Sequence, residues 1–78
     1  MGGRKNIDDV IREYLSRKTP DGYYIIPASL AAREIVAKYN NVVVEETGTI
    51  LFIKTRSRSI AEKVLRKLWT RNLLGEYS

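Results

Sequence analysis

The stretch from Thr55 to Gly75, TRSRSIAEKVLRKLWTRNLLG, constrains the fold more than any other. Ile60, Ala61, Val64, Leu65 and Leu68 recur at the spacing that places them on one side of an α-helix, with Trp69 at the margin. Ser59, Glu62, Lys63, Arg66, Lys67 and Thr70 fall on the opposite arc. The first side faces a core, and the second faces water or a polyanion. Ser59 and Glu62 match an S-x-x-E capping box, which places the helix start near Ser59.

Charge is concentrated on the same stretch. Lys54, Arg56, Arg58, Lys63, Arg66, Lys67 and Arg71 stand against the single acid Glu62, a local net charge of +6, whereas the whole chain carries 14 basic and 9 acidic residues, a net of +5. The remainder is therefore close to neutral. Such clustering is the footprint of a surface that neutralises phosphates; a solvated basic face on an ordinary surface helix is the plainer alternative.

The rest of the chain supplies elements for this helix to pack on. After a basic leader, Met1 to Lys5, Asn6 caps a first helix with Asp8 and Asp9 at its positive end. Its apolar stripe is Ile7, Val10, Ile11, Tyr14 and Leu15, and Arg17 and Lys18 sit in its last turn. Thr19-Pro20-Asp21-Gly22 is a turn. Tyr23 to Ile26 forms a brief edge strand ended by Pro27, and Pro27-Ala28-Ser29 opens a second helix to about Tyr39. That helix turns Leu30, Ala31, Ile35, Val36 and Tyr39 inward and Arg33, Glu34 and Lys38 outward, and Asn40-Asn41 closes it in left-handed conformation. Val42 to Thr55 reads as a β-hairpin turned at Thr47-Gly48. One of its faces holds Val42, Val44, Leu51 and Ile53 and the other Val43, Ile50, Phe52 and Glu45, so either helices cover both faces or a second subunit covers one. Asn72 ends the basic helix, and Leu73 and Leu74 fold back on the core.

The 78 residues make a single domain, 1–78, near the lower size limit for one apolar core. With 44% apolar and 29% charged residues it is globular rather than disordered. The absence of Cys and His removes disulfides, thiolate nucleophiles, the commonest general base and the commonest metal ligands. Asp8 and Asp9 diverge on a helix, and Glu45 and Glu46 alternate across a strand, so neither pair converges for acid/base work. The expectation is a non-enzymatic protein without cofactor, metal or small-molecule substrate, lacking a membrane span or secretory signal and so intracellular, in the cytoplasm with the nucleoid. The absence of Gln beside abundant Arg, Lys and Glu is compatible with a thermophilic source.

Two segments carry a resemblance. SRSIAEKVLRKLWTRNLLGEYS resembles the recognition helix and exit of winged helix-turn-helix DNA-binding domains, in which a Ser/Arg-rich start, an AEKVLRKL-type helix and an RNLL turn recur. YYIIPASLAAREI is similar to the short strand and second helix preceding it in such domains, archaeal regulators among them. The resemblance implies an α+β, small winged-helix-like domain in the order helix, short strand, helix, β-hairpin, helix. Here the hairpin precedes the recognition helix instead of following it, and its tip acts as a displaced wing. The family also implies the function: sequence-specific binding of double-stranded DNA by a small transcriptional regulator, with helix 59–71 in the major groove. Carried onto this chain, Arg56, Arg58, Ser59, Lys63 and Arg66 reach bases or flanking phosphates, Lys54 and Lys67 neutralise the backbone, and Ser57 lies in the same contact region, Ser57 and Ser59 serving equally well as helix caps. Arg71 joins the phosphate contacts or, projecting toward the apolar side, snorkels or pairs internally. Arg4 and Lys5 form an arm on the DNA. Two protomers are expected per DNA site, a homodimer at least on DNA. The alternative takes Tyr23 to Leu74 as β-α-β-β-α, similar to half of a ferredoxin-like fold and to the small dimerising subunit of the archaeal tRNA-modification complex. The protein is then a non-catalytic accessory or dimerisation subunit of a protein or RNA-modifying complex.

Overall fold

The structure, a computed structural model, describes residues 6–75. The expected leader with Arg4 and Lys5, and residues 76–78, lie outside the described residues. The fold is α+β in the expected order: α1 (Ile7–Leu15), β1 (Tyr24–Ser29), a 3-10 turn (Leu30–Ala32) leading into α2 (Arg33–Val36), β2 (Val43–Thr47), β3 (Ile50–Thr55) and α3 (Arg58–Thr70). The strands form one antiparallel sheet in the order β1-β3-β2.

Asn6 caps α1 by accepting from the Asp9 amide at 2.9 Å. Val10 and Ile11 are buried, and Ile7, Tyr14 and Leu15 pack partly buried against the core. The helix stops earlier than expected, because Ser16 closes it with its hydroxyl on the Glu13 carbonyl at 2.8 Å; Arg17 and Lys18 lie beyond the last turn. In the turn that follows, the Gly22 amide donates to the Thr19 carbonyl at 2.9 Å, with Gly22 at φ +91.

Pro27 does not end β1, which runs on to Ser29. The Pro27 carbonyl accepts from the Gly75 amide at 2.8 Å, so the backbone of Pro27 turns its polar groups away from β3, and the missing N–H falls where no ladder bond to β3 is lost. Residues 73–75 flank that side of β1, the Ser29 amide donating to the Leu73 carbonyl at 2.9 Å. The second helix is correspondingly shorter than expected. Ser29 caps a 3-10 turn, whose tighter winding rotates Leu30 and Ala31 outward and Ala32 into the core. Asn40 and Asn41 close the segment without left-handed conformation, which Asn72 alone adopts among the described non-glycine residues.

The hairpin turns at Gly48-Thr49, one residue later than expected, because Gly48 at φ +62 supplies the first position of a two-residue loop. The register moves by two residues, Val44 facing Ile53, so the two faces keep the expected membership. α1 and α3 pack on one face only, around Tyr24, Ile26, Ala28, Leu51 and Ile53.

α3 starts two residues before the expected capping box. Buried Thr55 donates through Oγ1 to the Asn41 carbonyl at 2.7 Å and accepts the Ser57 amide at 3.1 Å. That holds Ser57 extended, with its Oγ accepting the Ile60 amide at 3.3 Å. Ala61, Val64, Leu65 and Leu68 are fully buried, as their spacing requires, while Trp69 remains 38% exposed. Asn72 at φ +58 ends α3, with Leu73 donating to the Leu68 carbonyl and Asn72 to that of Trp69, the bond pair of a Schellman motif. Leu73 and Leu74 then turn back onto the core.

Candidate nucleic-acid interface

Burial of the apolar side of α3 fixes its rotation and leaves Arg58, Ser59, Lys63, Arg66, Lys67, Thr70 and Arg71 exposed. Their surroundings differ from one border of the helix to the other. Toward α1, Arg66 sits 3.2 Å from Glu62 and 3.9 Å from Asp8, so its charge is partly countered. Away from those acids run Lys63, Lys67 and Arg71, spaced by four residues and rising about 6 Å per step along the axis. None of the three forms an ion pair with a described residue.

Opposite this row stands the exit of α2. Tyr39, Lys63, Arg66, Lys67, Thr70 and Arg71 line an open groove of about 480 Å³, and an adjoining cleft of about 180 Å³ adds Glu34, Ile35 and Lys38. Lys38, exposed and likewise without an ion pair among the described residues, stands on the second bank beside the equally exposed Glu34, so that bank is net neutral and the positive charge of the groove comes from the row on α3. The row of three cations covers about 12 Å, a length over which one strand of duplex DNA presents about three to four phosphates. This groove can hold a phosphate backbone; its side chains include no His or Cys and converge on no acid/base pair.

The other expected contact residues are placed apart from the groove. Lys54 lies on the sheet face opposite the helices and pairs with Glu45 at 3.0 Å. Arg56 stacks on Tyr23, its guanidinium 4.7 Å from the ring centre, at an open cleft of about 480 Å³ shared with Asn40, Asn41, Val42, Val43 and Ser57. Ser57 is occupied as the cap, and the Ser59 hydroxyl lies 3.3 Å from that of Ser57. Arg58, exposed in the first turn of α3 and without an ion pair among the described residues, is the one residue at the start of the helix whose charge stays free.

Compared against protein-family models, curated proteins and solved structures, the chain matches none.

Sequence reasoning missed the second bank. Arg71 was signalled by its four-residue spacing from Lys67 and Lys63, but an ideal helical wheel carries it toward the apolar side. Lys38 and Tyr39 carried no local signal, since only the packing of α2 beside α3 brings them to the groove.

Proposed function

We propose that this protein is a non-enzymatic, sequence-specific binder of double-stranded DNA, a small transcriptional regulator that holds the duplex against α3. The observation that carries this reading is the row Lys63, Lys67 and Arg71, three cations with no ion-pair partner among the described residues, facing Tyr39 and Lys38 across an open groove. When unpaired cations in a row neutralise phosphates, the counterions condensed on the DNA are released, and that release drives association. Arg58, together with Arg66, is the side chain left to read base edges, while the row positions the backbone. The likeness to winged helix-turn-helix domains belongs to the same proposal. α2 and α3 stand for the helix pair, with the β2–β3 hairpin inserted between them. Such a regulator works where the DNA is, in the cytoplasm on the nucleoid.

Titration of the protein into a labelled duplex at increasing salt tests this. Engagement of the row and Lys38 gives about four phosphate contacts and a slope of log affinity on log salt near −3 to −4, Arg58 being kept for base edges. A duplex selected from random sequence should bind at least about tenfold more tightly than an arbitrary one. Binding that is absent, or flat in salt, would remove the proposal.

A second reading, a non-catalytic accessory subunit, is favoured by a different observation: the sheet face away from the helices keeps Val43 50% and Ile50 38% exposed.

A further inference from the structure

The register of the sheet defines that outer face residue by residue. Three cross-strand rows point away from the helices: Ile25, Lys54 and Val43; Pro27, Phe52 and Glu45; Ser29, Ile50 and Thr47. Phe52 stands at the centre. Pro27 is already buried, with Gly75 lying against it. Ile25 and Phe52 are half-buried, Val43 and Ile50 exposed, and none of these four belongs to the core cluster. A solvated face of an antiparallel sheet ordinarily alternates to polar residues. This one has a central aromatic with apolar neighbours and a polar margin, the anatomy of an interface.

The charges identify the occupant. The only charged side chains in the three rows are Glu45 and Lys54, already paired at 3.0 Å, so the face is neutral while the exposed side of α3 is cationic. A polyanion has nothing to bind here, and a strongly charged protein partner finds no counter-charge. A second twisted antiparallel sheet with a neutral apolar face does fit, and the same face of another copy meets that description. We propose that two copies of this chain pack their outer sheet faces together, with Phe52 near the two-fold axis and Glu45 and Lys54 able to exchange partners across it. The α3 surfaces then lie on opposite outer sides of the dimer. If the DNA reading above holds, on which this last step rests, one dimer grips two duplex segments and bridges them. Three short strands make a small interface, at the low end of specific ones, so dissociation is expected at about 1 to 100 µM.

Sedimentation equilibrium of the full chain without DNA tests the dimer. The expected mass rises with concentration from the chain's 9.0 kDa toward twice that value. Phe52→Glu should raise the dissociation constant by at least about tenfold, a penalty of about 1.4 kcal/mol or more. Because Phe52 is half-buried and its loss can weaken the fold, Val43→Glu is measured beside it, with circular dichroism verifying the fold of both. A parent that stays monomeric at about 200 µM, twice the upper end of the expected dissociation constant, overturns the proposal and leaves the face to a different protein. A dimer unaffected by either substitution places the contact elsewhere and overturns it equally. For bridging, an immobilised duplex should retain a second, free duplex with the parent but not with Val43→Glu. DNA binding without co-capture by a dimeric parent overturns bridging; failure to bind DNA at all overturns the DNA reading while the sedimentation result stands.

Discussion

The two halves of the basic stretch 54–71 look alike in sequence and differ in the fold. In the lead-in, Lys54 pairs with Glu45, which counters its charge, and Arg56 is held against the face of Tyr23. Along the helix, Lys63, Lys67 and Arg71 have no ion pair among the described residues and share a groove with Tyr39. The strand explains part of this. A side chain on β3 at position 54 must point to the face opposite Ile53 and Thr55, which are buried beneath the helices, and there it meets the cross-strand Glu45. Counting charge in a sequence overstates the charge available to a ligand, because the count ignores which cations the fold itself has engaged.

The contrast can be broken most severely by removing the row. Lys63→Ala, Lys67→Ala and Arg71→Ala combined should lower affinity for any duplex by about 100-fold or more near 0.1 M salt, since each phosphate contact contributes roughly tenfold there. Far-UV circular dichroism should be unchanged because all three side chains are exposed. Fluorescence anisotropy measures the loss; retention of binding within threefold or so would exclude the groove as the phosphate site.

The next effect separates reading from positioning. Arg58→Ala should cost about 1 to 3 kcal/mol on a selected site and less on arbitrary DNA, relaxing the preference. Equal losses on both sequences would make Arg58 one more phosphate contact.

A smaller effect distinguishes the two serines. Ser57→Ala should destabilise the fold by about 1 kcal/mol in urea denaturation, and Ser59→Ala by a few tenths at most, because Ser57 alone accepts a helix amide. The opposite order would return the cap to Ser59.

The serines also mark where the sequence stops being informative. Periodicity sufficed for the buried side of α3, for the stripe of α1 and for the faces of the hairpin, since spacing alone decides which side chains share a face. Asn72 was legible as a helix end because few residues adopt positive φ. The choice of Ser57 over Ser59 depends on Thr55 being held by Asn41, fourteen residues away in the chain. The continuation of β1 through Pro27 depends on Gly75, far downstream, taking the free side of the strand. The groove has the same character: Lys67 and Arg71 were readable as cations, but Lys38 and Tyr39 reach them only through packing of α2 on α3.

The most direct measurement is the salt dependence of duplex binding for two variants beside the parent. One lacks the row cations Lys63, Lys67 and Arg71, and the other lacks the lead-in cations Lys54 and Arg56. The expected result is a slope reduced in magnitude by about three units in the first variant and by less than about half a unit in the second. A lead-in variant whose slope falls by two units, with the row variant unchanged, would contradict the assignment of the phosphate-binding surface to α3 and its groove.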